Sequence, residues 1–205
     1  MLPDPPAPPT GTWIAGVDPA THKTGLALIW QPLRGTPTVH LCTIIKGGGG
    51  DAIVRVRRTA HLVRMALKDA PAWQESRPDG SIARPLLGIE EPYTRTGRQK
   101  GVTDPRAGLE VVWMAYGALT ALPMWGEVVS IQPASLKTAF GVGYRQRRED
   151  AKASAVEWAG RVFGQDLKDD EDDAADALAA AVWVGDRWRQ RTLAAAQGVL
   201  PLKGR

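Results

Sequence analysis

Cysteine and the smaller aromatic residues are scarce in this sequence, which has one cysteine, two phenylalanines and three tyrosines among 205 residues. The single cysteine, Cys42, excludes an intramolecular disulfide framework and a thiolate metal cluster, and a small buried apolar residue is its expected role. No apolar run approaches the roughly 20 residues that a membrane-spanning helix needs. The opening MLPDPPAPPTG has neither the basic nor the apolar segment of a secretory signal. We therefore expect a cytoplasmic protein with no membrane segment.

Charge is distributed unevenly along the chain, although the net charge is only +4. Acidic residues concentrate between Asp166 and Asp176, whereas basic residues form three groups elsewhere. A basic surface with one acidic focus is typical of a protein that binds a phosphate backbone and also holds a cation. Charge alone is equally compatible with solvated faces around an acidic loop. The three basic groups are Arg55, Arg57, Arg58, Arg64 and Lys68; Arg95, Arg98, Lys100 and Arg106; and Arg145, Arg147, Arg148 and Lys152.

The succession of short apolar runs predicts an α/β domain. Three strand-like runs joined by tight turns come first, and two more follow in alternation with helical patterns. This order indicates a mixed five-stranded sheet flanked by helices. The predicted strands are residues 13–17, 25–30, 39–45, 86–89 and 128–131. We assign residues 12–190 to this one domain, residues 1–11 to a disordered proline-rich tail and residues 191–205 to a C-terminal tail.

The predicted helices differ in the faces they present. The helix at 52–70, which Asp51 is expected to cap, carries a basic stripe at helical spacing: Arg57, His61, Arg64 and Lys68. The helix at 106–122 is apolar nearly all round, which indicates either burial within the monomer or a subunit interface. A further helix is predicted at 151–162, and the last one starts in the acidic segment, where the helix dipole favours negative charge.

Four acidic residues stand where they can converge in space. Asp18 ends the first strand, Glu90 ends a later strand, and Asp173 and Asp176 lie one turn apart on the final helix. Clustered carboxylates repel one another, so such a group needs cations, and oxygen ligands favour hard ions such as Mg²⁺ or Mn²⁺. Two such ions about 4 Å apart activate a water and stabilise the leaving oxygen of phosphodiester hydrolysis. The pattern predicts a two-metal nuclease, although each residue alone is compatible with a turn or a helix cap.

Three segments carry a resemblance to a known family. GVDPATHKTG contains Asp18, IEEPY contains Glu90, and DAADALA contains Asp173 and Asp176. In this order and at these separations, they resemble the three active-site blocks of the RuvC-type Holliday junction resolvases, over roughly residues 13–188. Lys23, within the first block, is not a signature residue of that family, and the divergence suits a phage-borne member.

The resemblance implies a ribonuclease-H-like fold, a homodimer, and metal-dependent cutting of two symmetry-related strands of a four-way DNA junction, leaving 5′-phosphate ends. It implies two Mg²⁺ ions per active site, with Mn²⁺ as a substitute. The metal-binding, catalytic carboxylates carried over by position are Asp18, Glu90, Asp173 and Asp176. Whether Glu91 or Asp172 takes the place of its neighbour stays open.

Other residues acquire roles through the same resemblance. Tyr93 takes the position of an aromatic residue that stacks on bases at the junction centre. Lys137 and Lys152 correspond to basic catalytic residues near the scissile phosphate, although solvated lysines are the simpler interpretation. DNA contacts are further expected from Arg95, Arg98, Lys100, Arg145, Arg147 and Arg148.

Two other functions remain compatible with the sequence. Another nuclease of the ribonuclease H superfamily, acting on RNA–DNA hybrids or ribosomal RNA, would share the carboxylates without necessarily sharing the stacking loop. A non-catalytic junction-binding protein would keep the basic surface. The four intact acids disfavour it, because an unused acidic cluster would only repel phosphate.

Overall fold

The computed structural model describes residues 10–20, 22–71, 84–92, 105–139, 148–168 and 170–197. Within these ranges the chain forms five strands and five helices. The strands are β1 (Gly11–Asp18), β2 (Lys23–Pro32), β3 (Thr38–Lys46), β4 (Leu86–Glu90) and β5 (Glu127–Ile131). The helices are α1 (Ala52–Leu67), α2 (Pro105–Thr120), α3 (Pro133–Ala139), α4 (Arg148–Phe163) and α5 (Asp172–Ala196).

The strands form one mixed sheet in the order β3-β2-β1-β4-β5. β1, β2 and β3 pair antiparallel as a meander, whereas β4 and β5 join β1 in parallel pairing. The chain runs through β2, β3 and α1 between β1 and β4, and through α2 between β4 and β5, which provides the long crossovers that parallel pairing requires. The predicted mixed five-stranded sheet with flanking helices is confirmed.

Helices cover both faces of the sheet, so the central strands are buried on both sides. One core unites the sheet with α3, α4 and α5 and includes Ile14 and Ile29; the other unites it with α1 and α2 and includes Ala15 and Leu28. Successive residues of β1 therefore alternate between the two cores, as the twofold period of a strand dictates.

The contact between α5 and the sheet is unusually close, because glycines lie beneath the helix. A β-carbon added at Gly16 would overlap the backbone of Ala177, and one added at Gly88 would lie 2.7 Å from the carbonyl oxygen of Ala180. Alanines on α5 complete the contact, and Ala177, Ala180 and Ala181 are fully buried. Small residues on both elements bring the helix backbone down onto the strands.

The element boundaries follow the sequence prediction closely, with one omission. Asp51 caps α1 as predicted, since its side chain accepts a 2.8 Å hydrogen bond from the Val54 amide. α1 ends at Leu67 rather than at residue 70, and α5 continues to Ala196, past the domain boundary expected at 190. The sequence prediction lacks α3, because its seven residues are too few for a helical period to repeat.

The apolar surface of α2 divides into a buried side and an exposed side. Val111 and Ala115 pack with Val56 of α1, whereas Trp113 and Met114 are 46% and 39% exposed. Burial within the chain, one of the two sequence interpretations, is therefore confirmed for one side of the helix, and the other side is exposed. Among the described helices, none combines the length and the apolar character needed to cross a bilayer.

Candidate active site

Because side chains alternate between the two faces of a strand, two of the predicted acids lie on the same side of the sheet. Gly16 of β1 and Gly88 of β4 both lie against α5. Because every second residue of a strand shares a face, Asp18 and Glu90 project toward the α5 side as well. The parallel register pairs Val17 with Ile89, so the two acids follow at the same level on neighbouring strands.

α5 contributes the third carboxylate. Each of Asp18, Glu90 and Asp176 offers an oxygen, and these oxygens lie within 4.8 Å of one another, at partly buried side chains. We call this set the three-carboxylate group. It brings together three of the four predicted ligands, and at the β4 end the residue that joins it is Glu90 and not Glu91.

The electrostatics of the three-carboxylate group favour a bound cation. Burial raises the pKa of Asp18 well above its usual value, and four neighbouring acids add to the shift: Glu90, Asp176, Asp173 and Asp172. A divalent cation would offset this repulsion, and a set made only of carboxylate oxygens suits a hard ion such as Mg²⁺. The residues present therefore fit a divalent metal site.

Asp173 lies outside the three-carboxylate group, although it is one turn from Asp176. Its carboxylate is paired with Lys23, whose Nζ lies 3.2 Å from Asp173 Oδ2. Burial, followed by the charge of Asp172, raises the pKa of Asp173, and Lys23 limits the increase. The first acid of α5, Asp172, is only 5% exposed and contacts two lysines, Lys23 at 3.6 Å and Lys152.

Lys23 is the residue of the site that sequence reasoning missed. Besides its two carboxylate contacts it donates to the carbonyl oxygen of Asp170. Burial alone would lower the pKa of Lys23, but the hydrogen bond and charge of Asp173 and the charges of Asp172 and Asp170 raise it above the usual value, so the ammonium stays charged. The sequence prediction begins the second strand at residue 25, whereas β2 begins at Lys23, which shares a face with Gly25 and Ala27 beneath α5.

Lys152 of α4, predicted near the scissile phosphate, contacts Asp172 at the start of α5. It thus lies on the same side of the site as Lys23. The remaining predicted residues lie outside the described side chains: Tyr93, Arg95, Arg98, Lys100, Lys137, Arg145, Arg147 and Arg148.

The basic stripe of α1 is present on the molecular surface. Arg57, His61, Arg64 and Lys68 are all exposed, while Val56, Ala60 and Val63 of the same helix face the core. The amphipathic pattern of the sequence is therefore confirmed, and the exposed cations are available to a polyanion.

Comparison by sequence finds neither a matching protein-family model nor a matching curated protein. Comparison by structure finds 28 matching chains. Thermus thermophilus RuvC in complex with a Holliday junction substrate has a TM-score of 0.56 and 20% identity, and the alignment covers 92% of this chain and 98% of that one. A second structure of Thermus thermophilus RuvC gives the same values. The yeast mitochondrial Holliday junction resolvase Ydc2 has a TM-score of 0.56 and 15% identity, with 96% and 86% of the two chains covered. The chain thus has the ribonuclease-H-like fold of the RuvC-type resolvases, over nearly their whole length.

Proposed function

We propose that this protein is a metal-dependent endonuclease that resolves four-way DNA junctions by paired phosphodiester hydrolysis, leaving 5′-phosphate ends. The observation that carries the proposal is the convergence of Asp18, Glu90 and Asp176 beneath α5. This convergence occurs in a fold shared with a RuvC bound to a Holliday junction substrate. The three active-site blocks of the sequence, which contain these same residues, support the proposal as well.

The proposed cofactor is Mg²⁺, two ions per site, with Mn²⁺ as a substitute. Asp18, Glu90 and Asp176 would hold the first ion, and Asp173 would contribute to the second. Bound divalent cations of this kind would activate the attacking water and stabilise charge on the phosphate. The chain's own carboxylates would position the ions.

Basic and aromatic residues complete the proposed DNA interface. Lys152, at the edge of the site, and Lys137 would offset charge that develops on the scissile phosphate. Tyr93 would stack on a distorted base near the crossover, which favours branched over linear DNA. The backbone contacts are assigned to Arg95, Arg98, Lys100, Arg145, Arg147, Arg148 and the exposed α1 stripe.

A homodimer is part of the same proposal. A four-way junction has near-twofold symmetry, so a symmetric dimer with one site in each subunit can cut both strands. The exposed side of α2, with Trp113 and Met114, is the proposed interface.

The decisive experiment compares a four-way junction, a linear duplex and an RNA–DNA hybrid, each with and without Mg²⁺. We expect the junction alone to be cut, and only with the metal. Asp176→Asn should abolish cutting, whereas the matched control Asp186→Asn, on an exposed part of the same helix, should retain it. Preferred cutting of the hybrid would identify a different nuclease of this fold, and junction binding without cutting would identify a non-catalytic protein.

A further inference from the structure

The five acids at the centre of the molecule fall into two sets that differ in position. Asp18, Glu90 and Asp176 form the three-carboxylate group. Asp172 and Asp173, at the start of α5, lie beside it and are paired with lysines of the same chain. A cation that binds on the Asp173 side of the site therefore meets carboxylates that are already in contact with lysine ammonium groups.

Lys23 is held firmly in this position. Its ammonium contacts Asp172, Asp173 and the carbonyl oxygen of Asp170. Its backbone belongs to β2, where Lys23 pairs with Lys46, and the adjacent residue His22 accepts a hydrogen bond from the Gly47 amide. Because the strand fixes the backbone, Lys23 can release Asp173 by a movement of its side chain but not of β2.

We propose that Lys23 is an internal cation on the Asp173 side of the site, so that divalent cations bind in two unequal steps. The first ion enters the three-carboxylate group. The second ion gains Asp173 only by displacing the Lys23 ammonium. This inference rests on the proposed metal-dependent function and assigns Lys23 as a positioning residue within it.

The unequal steps can be measured without any reaction, by counting bound Mn²⁺ with electron paramagnetic resonance. For the full chain we expect one strong site and a second that is weaker by about tenfold or more. The second ion must break the partly exposed ion pair between Lys23 and Asp173, and it has at least one carboxylate ligand fewer than the first ion. Lys23→Met should strengthen the second step by about tenfold, because the competing charge is gone. Lys23→Arg keeps the charge and should keep the two steps unequal.

Two further variants make the test specific. Lys46→Met removes an exposed lysine that is the cross-strand neighbour of Lys23, and its binding curve should match that of the unmodified chain. Adding Asp173→Asn to Lys23→Met should remove the strengthened second site, which assigns that site to Asp173. Lys23→Gln is a second neutral variant should Lys23→Met fail to fold, and folding is checked by thermal unfolding.

The outcomes separate this inference from the function on which it rests. The role of Lys23 is overturned if the unmodified chain binds two Mn²⁺ ions with equal affinity. It is also overturned if a folded Lys23→Met or Lys23→Gln variant has an unchanged Mn²⁺-binding curve. Either result leaves metal binding itself in place. An unmodified chain that binds no Mn²⁺ overturns the proposed metal-dependent nuclease and the role of Lys23 together.

Discussion

A β-carbon added at Gly25 would overlap the backbone carbonyl oxygen of Asp173. At the level of the candidate site, β2 and α5 therefore meet backbone to backbone. Gly16 and Ala177 have the same relationship one strand over. The depth at which α5 packs decides whether Asp176 reaches Asp18 and Glu90, so these glycines determine the geometry of the site.

Gly25→Ala should lift α5 away from the sheet. We expect the free energy of unfolding to fall by about 3 kcal/mol or more, since the obstructing neighbour is backbone and cannot rotate aside. Added Mg²⁺ should no longer stabilise the variant, as judged by thermal unfolding with and without the ion. Gly49→Ala is the control, because a β-carbon there has no neighbour within 4 Å. At this exposed position before α1 it should be neutral or stabilising by up to about 1 kcal/mol. Equal losses in both variants would show that packing beneath α5 is not the cause.

Asp18→Asn should stabilise the metal-free protein near neutral pH. Because the pKa of Asp18 is raised in the folded chain, the folded state binds this proton more tightly than the unfolded state does. The free energy of unfolding therefore decreases as the pH rises from the unfolded pKa, about 3.9, through the folded value. Removing the charge should raise the free energy of unfolding near pH 7, and the gain should vanish at about pH 4 and below.

The measurement for Asp18→Asn is urea unfolding across this pH range, in a chelator and then in Mg²⁺. Mg²⁺ should stabilise the unmodified chain and leave the variant unchanged. Asp186→Asn, which removes a carboxylate from a half-exposed side chain on α5, should follow the unmodified chain in both conditions. A variant less stable than the unmodified chain near neutral pH in the chelator would contradict the repulsion assigned to the site.

Cys42 should report on whether α5 is packed onto the sheet. Its thiol lies 3.5 Å from the carbonyl oxygen of Ala174 in the first turn of α5, and burial, with the charge of Glu171, raises the pKa of the thiol to about 12. Since the thiolate is the reactive form, labelling by a thiol reagent at neutral pH should be slower than in the unfolded chain by a hundredfold or more, to order of magnitude. Gly25→Ala should accelerate labelling and Gly49→Ala should not. Rapid labelling of the unmodified, folded protein would argue against this packing.

The exposed stripe on α1 should bind the DNA backbone. Arg64→Gln is expected to weaken junction binding and to reduce the slope of log affinity against log salt concentration by about 1, the value for one lost phosphate contact. Arg161→Gln, an exposed arginine on α4, is the control and should leave the slope unchanged. Fluorescence anisotropy at several salt concentrations measures both, and identical slopes for all three proteins would remove α1 from the interface.

The exposed side of α2 should hold the proposed dimer together. Replacing Trp113 and Met114 by serine should convert a dimer into a monomer without unfolding it, because both side chains are exposed in the single chain. Val128→Ser removes an exposed apolar residue on β5 and should leave the mass unchanged. Light scattering measures the mass of each protein. A double variant that stays dimeric with a normal melting temperature would place the interface elsewhere.

Much of this fold could be predicted from the sequence, because the signals are local. The runs that became β1 and β2 alternate between two cores, and Asp51 has the residue type of a helix cap. The meeting of Asp18 with Glu90 could also be predicted, since parallel neighbouring strands end at the same edge of a sheet. Helix α3 could not be predicted from the sequence, because its seven residues are fewer than two full helical turns.

The separation of Asp173 from the three-carboxylate group could not be predicted in this way. Helical spacing places Asp173 and Asp176 on one face, and only the lysine of β2 distinguishes them. The position of Lys23 depends on the depth of α5, which in turn depends on the fit of Gly25 under the Asp173 backbone. Such a contact joins residues far apart in sequence and leaves no local pattern.

The contribution of α5 to the three-carboxylate group has a consequence for folding. Asp18 and Glu90 lie on strands made early in synthesis, while Asp176 arrives with the helix that covers the sheet late in the chain. A nascent chain that ends before α5 therefore contains all five strands but lacks the third ligand. We expect cation affinity, and any cutting that depends on it, to appear only with the last folding step. An incompletely folded molecule would then leave DNA intact.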